Sequence, residues 1–217
     1  TLAGGVAHDL NNILGVVVGY AELLLLEMHE GNPSKKYITN IMQSGVRAAA
    51  IIQDLLTLAR RGVAVSEVIN INDIISDFLK SPEFEKVMSF HKNVTVKTDL
   101  EENLLNIMGS PVHLSKSVMN LVSNAAEAIQ GGGEISITTH HRYIDIPIKG
   151  YDTMAEGDYV VLSVSDTGQG ISPHDMGRIF EPFYTKKVMG RSGTGLGLAV
   201  VWGTVKDHSG YIDVQSS

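Results

Sequence analysis

The sequence predicts an α+β protein made of a helical hairpin and a following domain in which helices are layered on one sheet. In the first part of the chain, apolar residues recur at steps of three and four, which is the spacing of a packed helix. Further along, alternating and β-branched segments indicate strands. The pattern changes at Arg60-Arg61-Gly62, so we predict a hairpin at residues 1–62 and a second domain at residues 63–217.

The hairpin is predicted from two apolar helices joined by a short turn. The first helix is expected over residues 2–28, and its main apolar stripe consists of Leu2, Val6, Leu10, Ile13, Val17, Tyr20 and Leu24. A second stripe consists of Leu14, Val18 and Leu25. Turn residues at 31–34 end the pattern, and a second helix is expected from Tyr37 to Ala59. Because two helices cannot bury both stripes alone, we predict a homodimer whose hairpins form a four-helix bundle.

The second domain is predicted to mix strands and helices. The strands are expected at residues 94–97, 134–138 and 159–164. The helices are expected at residues 110–129 and 194–207, with a loop insertion at residues 145–158. Ser110-Pro111, a cap followed by proline, marks the start of the first of these helices.

Composition excludes several classes of protein. The net charge of −7 and the pI of about 5.6 argue against nucleic acid as a partner, because binding to phosphate backbones needs a basic surface. With no cysteine, disulfides, thiolate metal sites and thiol nucleophiles are excluded, and a cytoplasmic setting fits. The most apolar run, Ile13–Leu26, is shorter than the roughly 20 residues needed to cross a bilayer, so no membrane segment is expected in this chain.

A polar stretch, His8-Asp-Leu-Asn-Asn12, interrupts the first helix. His8 shares a helix face with Asn12, Gly15 and Gly19. The two glycines indicate either room for something to dock there or tight packing against a neighbouring helix. A neutral imidazole has a free lone pair, so His8 is a candidate nucleophile, and Asp9 is a candidate partner for the other ring nitrogen. Adjacent residues do not face each other on a regular helix, so side-chain rotation or local distortion is expected to bring them together. Judged alone, the stretch is more typical of an ordinary exposed histidine.

Two motifs of the second domain present polar side chains to a possible ligand. Asn120 and Asn124 lie four residues apart on one helix face, and an amide oxygen is a suitable ligand for Mg²⁺. The stretch Asp166-Thr-Gly168-Gln-Gly170 follows an apolar strand, where an acid can bond a ligand edge while glycines allow close backbone approach. Taken singly, two exposed asparagines and a plain turn would explain the same residues.

Two further motifs indicate an anion. The stretch Phe-Glu-Pro-Phe-Tyr at residues 180–184 leads to Lys186, Lys187 and Arg191, which fits a mobile lid over phosphates. Judged alone, it fits a solvated basic loop better. The stretch Gly-Thr-Gly-Leu-Gly at residues 193–197 opens a predicted helix, whose N-terminal N–H groups can bind an anion. It matches neither the Walker pattern nor the dinucleotide-binding fingerprint.

Together and in this order, the four motifs resemble the N, G1, F and G2 boxes of the sensor histidine kinases of two-component systems. That family shares an ATP-binding superfamily with type II topoisomerases, mismatch-repair proteins and heat-shock chaperones. The resemblance implies an α/β sandwich that binds ATP and Mg²⁺, with Asp166 on the adenine amino group, Asn124 on the metal and Asn120 as its accessory. The other nucleotide-binding residues that it implies are Gly168, Gly170, Lys187, Gly193, Thr194, Gly195 and Gly197, with Lys186 and Arg191 as further candidates.

The stretch around His8 resembles the phosphoacceptor box of the same family. The resemblance implies autophosphorylation on His8 from Mg-ATP, assisted by Asp9, and transfer to an aspartate of a response-regulator receiver domain, separate or fused. It also implies phosphatase activity towards that partner, with Asn12 orienting a water. The stretch is similar to the His-Asp-Phe-Asn-Asn subgroup, with Leu10 in place of Phe, and Ile13 stands where many members have proline. A further C-terminal hairpin strand is expected beyond residue 217.

Two alternatives stay open. A catalytically silent nucleotide-binding module would only dimerise and dock a receiver. An ATP-hydrolysing member of the superfamily would use a glutamate four residues before the metal asparagine as base for the attacking water. Here that position is Asn120, which disfavours hydrolysis.

Overall fold

The computed structural model describes residues 2–59, 67–146, 148–149, 153–186 and 193–216. The chain divides into two compact units, Thr1–Arg61 and Gly62–Ser217. The first unit is helical and the second mixes helices and strands, so the predicted order of a hairpin followed by an α/β domain is confirmed.

Two helices form the first unit. Helix α1 spans Leu2–Glu27 and helix α2 spans Lys35–Ala59, which agrees with the predicted bounds to within two residues. Between them, the side chain of Asn32 accepts a hydrogen bond from the Ser34 amide at 2.9 Å. This local bond closes the turn that the sequence predicts, because asparagine side chains commonly bond the backbone two residues on.

The contact between α1 and α2 uses the second apolar stripe of α1. Leu14, Val18 and Leu25 are half-buried there, and a Cβ at the buried Gly45 would lie 2.7 Å from Val18 Cγ2. The main stripe stays exposed within one chain, by 41% to 65% for Val6, Leu10, Ile13, Val17, Tyr20 and Leu24. The hairpin therefore presents a long apolar face that its own two helices do not cover.

By length and composition alone, Gly5–Glu27 within α1 is apolar enough to cross a bilayer. This stretch is longer than the run Ile13–Leu26 from which no membrane segment was predicted. Packed helices of soluble proteins meet the same criterion, so it does not by itself identify a membrane anchor.

Among its described residues, the second unit is built on a three-stranded sheet. Its elements, in order, are β1 (Glu67–Ile69), α3 (Ile71–Leu79), α4 (Pro82–Phe90), β2 (Val94–Leu100), β3 (Ile107–Gly109), α5 (Pro111–Ala128), β4 (Gly133–Ile144), β5 (Ile148–Lys149), β6 (Thr153–Met154), β7 (Gly157–Asp166), α6 (Pro173–Met176) and α7 (Gly197–Asp207). The sheet has the order β2–β4–β7, with β2 parallel and β7 antiparallel to β4. Two further pairs of short strands, β1–β3 and β5–β6, form separate antiparallel sheets.

The core of the second unit lies between helices and one face of the sheet. Alternate residues of β4, Ile135 and Ile137, are fully buried, as are Ile75 of α3 and Val122 of α5. This alternation is what a strand with one covered face requires. The predicted layering of helices on one sheet is confirmed.

Some predicted bounds were wrong. The last helix begins at Gly197 rather than Thr194, because Gly193 and Gly195 have positive φ angles (79° and 70°) that no helix can include. The predicted loop at 145–158 contains β5, β6 and the first residues of β7. Helices α3 and α4 were not predicted, although the caps Asn70 and Ser81 at their N-termini were visible signals.

Candidate functional site

His8 of α1 lies on an exposed face with two polar neighbours. Its Nδ1 is 3.3 Å from Asp9 Oδ1 and 3.3 Å from Asn12 Nδ2. The side chains of His8 and Asp9 are 73% and 80% exposed. The contact with Asp9 forms inside a continuous helix, so side-chain rotation suffices and the alternative expectation of a distorted backbone is unnecessary.

The two contacts of His8 exclude each other, because they share one ring nitrogen. When Nδ1 carries the proton it donates to Asp9, and Nε2 keeps a free lone pair. When Nδ1 is unprotonated it accepts from the Asn12 amide, and the proton sits on Nε2. Asp9 thus favours the tautomer with a nucleophilic Nε2, whereas Asn12 favours the tautomer without one.

The glycines on the His8 face lie beside open space. A Cβ at Gly15 or Gly19 would meet nothing within 4 Å. Close packing against α2 therefore does not explain why these two residues are glycine. Within the described hairpin, nothing covers the surface beside them.

In the second unit, Asn120 and Asn124 lie half-buried on α5. Asn120 Nδ2 donates to the carbonyl oxygen of Gly197 at 3.2 Å. This bond joins the middle of α5 to the start of α7. The amide oxygen of Asn120 lies 3.6 Å from where a Cβ at Gly197 would be, and so lies close to the first residue of α7.

His208 joins the other ends of the same two helices. Its Nε2 accepts from the Ser110 amide at 2.9 Å, and its Nδ1 donates to the Thr204 carbonyl at 2.7 Å. A Cβ at Gly109 would lie 2.7 Å from His208 Cδ2, so glycine is needed there. His208 was not predicted from the sequence, because no local motif indicates a bond between residues 98 positions apart.

The Asp166 turn packs against the C-terminal end of α5. Asp166 Oδ1 accepts from the Gly168 amide at 2.8 Å, and the Gln169 amide donates to the Ala128 carbonyl at 3.2 Å. A Cβ at Gly168 would lie 2.7 Å from the Ala128 carbonyl carbon, and Gly170 has φ of +70°. Both glycines are therefore required by the backbone, which explains their spacing after the acid.

The aromatic and glycine stretches meet backbone to backbone. The Phe183 amide donates to the Gly195 carbonyl at 2.9 Å, and a Cβ at Gly195 would lie 2.6 Å from the Phe183 carbonyl carbon. The rings of Phe180 and Trp202 lie 4.8 Å apart, and Leu196 is fully buried. Thr194 Oγ1 accepts from the Leu196 amide at 3.2 Å.

The basic residues divide between the described and the undescribed parts of the chain. Lys187 and Arg191 lie outside the described residues. Lys186 is described, and its ammonium group pairs with the carboxylate of Asp175. The structure thus gives Lys186 a protein partner within the second unit.

These residues fit a nucleotide held with a hard cation. Leu196, the N-cap of α7, makes no side-chain cap bond, so N–H groups at the helix start can bind an anion. Among the described residues, no group of three or more His, Asp or Glu side chains could hold a metal ion. The amide oxygens of Asn120 and Asn124 are of a kind that could serve a hard cation such as Mg²⁺, which usually completes its shell with phosphate oxygens and water.

Comparison with family models assigns both parts of the chain. Residues 109–217 match the family described as histidine kinase-, DNA gyrase B- and HSP90-like ATPase. Residues 1–64 match the His Kinase A (phospho-acceptor) domain. The first match contains all the described polar and glycine residues of the second unit's site, and the second contains His8.

Individual relatives resemble the chain over nearly its full length. Sensor kinase CckA of Brucella abortus is 35% identical over 97% of this chain and 22% of that protein. Sporulation kinase B of Bacillus subtilis is 30% identical over 100% of this chain and 46% of that protein. Sensor histidine kinase ZraS of Salmonella typhimurium is 29% identical over 99% of this chain and 42% of that protein. The chain therefore spans less than half the length of these curated relatives.

Solved structures share the fold. Full-length ShkA, crystallised with AMPPNP, has a TM-score of 0.68 at 22% identity, covering 95% of this chain and 40% of that one. The Acinetobacter baumannii histidine kinase AdeS has a TM-score of 0.55 at 18% identity, covering 89% of this chain and 84% of that one. At these identities the likeness concerns the fold alone.

Proposed function

The chain belongs to the sensor histidine kinases, in the histidine kinase-, DNA gyrase B- and HSP90-like ATPase family, and from that premise we propose that it transfers the γ-phosphoryl group of ATP to His8. The observation that carries this proposal is the contact between His8 Nδ1 and Asp9 Oδ1 on an exposed helix face. It supports the tautomer in which Nε2 can attack phosphorus.

In the proposed step, His8 Nε2 forms a bond to the γ-phosphorus, and the bond from that phosphorus to the β,γ-bridging oxygen breaks. ADP leaves with the electron pair. The ring becomes positively charged until the Nδ1 proton passes to Asp9 or to water. Asp9 thus orients the ring before attack and stabilises its charge afterwards.

The second unit would hold the donor nucleotide. We assign Asp166 to the adenine amino group and the glycines at 168, 170, 193, 195 and 197, with Thr194, to the walls of the pocket. Asn124, with Asn120 beside it, would ligate Mg²⁺, and Lys187 would contact a phosphate. Bound Mg²⁺ supplies positive charge that neutralises the phosphate oxygens as the bond breaks.

Phosphohistidine can pass its phosphoryl group on to a second acceptor. We propose transfer from His8 to an aspartate of a response-regulator receiver domain, separate or fused, in the cytoplasm where ATP is available. Asn12 would orient a water that attacks the receiver's aspartyl phosphate. The 3.3 Å contact of Asn12 with His8 Nδ1 supports separate roles for Asp9 and Asn12. It favours the tautomer in which His8 Nε2 carries a proton and cannot attack phosphorus.

The exposed stripe of α1 supports a homodimer. Large apolar side chains along one helix face, from Val6 to Leu24, are left in water by a single chain. A second hairpin would cover them in a four-helix bundle, which removes the apolar surface that monomeric proteins seldom expose.

Labelling with γ-labelled Mg-ATP tests the proposal. We expect label on the wild type that is acid-labile and base-stable, and no label on His8→Gln. The matched control is His29→Gln, an exposed histidine in the same unit that should keep the label. Nucleotide binding without label on the wild type would favour the silent module, and steady phosphate release without protein-bound label would favour an ATPase.

A further inference from the structure

A buried carboxylate lies outside the four motifs. Asp175 of α6 is 6% exposed, although aspartate is seldom buried without partners. Its Oδ1 accepts from the Tyr184 hydroxyl at 2.6 Å, and its Oδ2 contacts the Ser172 hydroxyl and the Lys186 ammonium group. His174 Nδ1 lies 3.4 Å from Oδ1 with an 82% exposed side chain. We call Asp175, Ser172, Tyr184 and Lys186 the Asp175 cluster.

The cluster joins two stretches that are separate in the chain. Ser172 caps α6, accepting from the Asp175 amide. Tyr184 and Lys186 belong to residues 180–186, the aromatic segment. A single carboxylate of α6 therefore bonds to the side chains of Tyr184 and Lys186, at the C-terminal end of the aromatic segment.

Opposite charges on Asp175 and Lys186 strengthen the hydrogen bonds of the Asp175 cluster. The Lys186 ammonium group and the hydroxyls of Ser172 and Tyr184 hold the pKa of the Asp175 carboxyl well below its usual range. In return, the bond to Asp175 raises the pKa of Lys186. Both groups are thus ionised near neutral pH, and hydrogen bonds to a charged acceptor are stronger than those between neutral groups.

The aromatic segment carries this restraint to the glycine stretch. Tyr184 follows Phe183, whose amide donates to the Gly195 carbonyl at 2.9 Å. At the other end of the segment, the Phe180 ring lies against Trp202 of α7 at 4.8 Å. The aromatic segment therefore contacts both the backbone that precedes α7, at Gly195, and α7 itself, at Trp202.

We propose that Asp175 is a positioning residue for nucleotide binding, which holds the aromatic segment against Gly195 and keeps Lys186 as its own counter-ion instead of a phosphate ligand. The inference rests on the nucleotide site of the proposed function. It departs from the sequence-based expectation that Lys186 is a candidate phosphate contact.

Binding of a non-hydrolysable ATP analogue with Mg²⁺ to the full chain, measured by calorimetry, tests the proposal. We expect Asp175→Asn to raise the Kd about tenfold, as for hydrogen bonds lost from a charged group. If Lys186 acts only through Asp175, the double variant Asp175→Asn/Lys186→Gln binds no more weakly than Asp175→Asn alone. Tyr184→Phe keeps its ring over Arg178 and should show a smaller loss.

Fluorescence of the single tryptophan gives a second readout. Because Trp202 lies against Phe180, Asp175→Asn and Tyr184→Phe should shift its emission in the absence of nucleotide. The matched control is Asp158→Asn, which removes the partner of His141 at the other end of β7 and should change neither Kd nor emission.

Three results would overturn the proposal. An unchanged Kd in folded Asp175→Asn would show that Asp175 has no positioning role in nucleotide binding. If the rise in Kd of the double variant equals the product of the rises in the two single variants, Lys186 contacts a phosphate independently of Asp175. If Asp175→Asn does not fold, unchanged Kd values in both Tyr184→Phe and Lys186→Gln would decide against it. A wild type that binds no analogue would instead refute the proposed function, and this inference with it.

Discussion

The two units of the chain bury their apolar residues in opposite ways. Within the described part of the hairpin, the apolar side chains that are almost fully buried are the small Ala7 and Ala21, while the large side chains of the main stripe on α1 stay exposed. In the second unit, Ile75, Ile135 and Val122 are fully buried. Each fully buried large side chain contributes about 1.5–3 kcal/mol, so the second unit can be stable alone whereas the hairpin gains from a second copy.

This difference separates assembly from nucleotide binding. The site of the second unit is formed by contacts inside that unit, such as Asn120 with Gly197 and Phe183 with Gly195. The polar contacts of His8 are formed inside one helix. Changes in the second unit should therefore leave dimerisation intact, and changes in the hairpin should leave nucleotide binding intact. The following predictions test that independence in order of decreasing effect.

The largest effect is expected for Gly195→Ala. The φ of +70° costs an alanine about 1–2 kcal/mol. Its Cβ would also lie 2.6 Å from backbone at Phe183, which cannot shift without breaking the bond to Gly195. We expect calorimetry to show nucleotide binding weakened at least about a hundredfold, close to 3 kcal/mol.

The control for this substitution is Gly177→Ala. Gly177 has φ of −72°, and a Cβ there would meet nothing within 4 Å. Its affinity for nucleotide should equal that of the wild type, and both variants should still dimerise. Loss of the dimer in Gly195→Ala would show that the two units are not independent.

The next effect concerns the dimer. Ile13 on α1 and Val68 on β1 are similarly exposed, at 61% and 66%. Because a charge in an apolar interface is left without water, we expect Ile13→Asp to shift the dimer to monomer in sedimentation, with a dissociation constant at least about a hundredfold higher. Val68→Asp should leave the dimer intact, and nucleotide binding should survive in both. Equal effects of the two substitutions would disprove the assignment of the interface to α1.

Sequence periodicity predicted the helices of the hairpin well, because every residue of a helix obeys the same local spacing. It could not tell which stripe faces the partner helix. Val18 packs against α2 at Gly45, which has no Cβ and so lets the helices approach closely, and that pairing depends on a residue of the other helix. That two helices leave one stripe uncovered was predicted, and the structure identifies the main stripe as the uncovered one.

In the second unit, sequence motifs indicated the residues that we propose to bind the nucleotide and missed residues that bond to other parts of the chain. Asp166, Gly168 and Gly170 stand together in the chain, so their chemistry is visible as a motif. His208 and Asp175 act through bonds to residues that no short pattern connects with them. Supporting contacts of this kind depend on tertiary structure, which local spacing does not encode.

An intermediate effect is expected for His208→Ala. The substitution leaves the Ser110 amide at the start of α5 without its acceptor and removes the bond to Thr204. We expect the free energy of unfolding of the second unit to fall by about 1–3 kcal/mol, measured by urea denaturation. His140→Ala, at an exposed position on β4, should change it little. A drop in dimer affinity with His208→Ala would contradict the independence of the units.

The smallest effect is a dependence on pH that belongs to the second unit alone. Because the pKa of Asp175 is lowered in the folded protein, its ionised form stabilises the fold above the unfolded-state pKa of about 4. That stabilisation is lost as the pH falls below 4. The raised pKa of Lys186 has the opposite sense, so its contribution persists up to the ordinary lysine pKa of about 10.4 and is lost above it.

The gap in urea midpoint between wild type and Asp175→Asn should therefore be constant from about pH 5 to pH 10 and should narrow below pH 4. It is small because Lys186 is 68% exposed, and water and salt weaken such a pair. Other carboxyl groups titrate in both proteins, so their contributions cancel in the difference. A gap that stays constant down to pH 3 would mean that Asp175 acts through its neutral hydrogen bonds, and Lys186 would then be available to a phosphate.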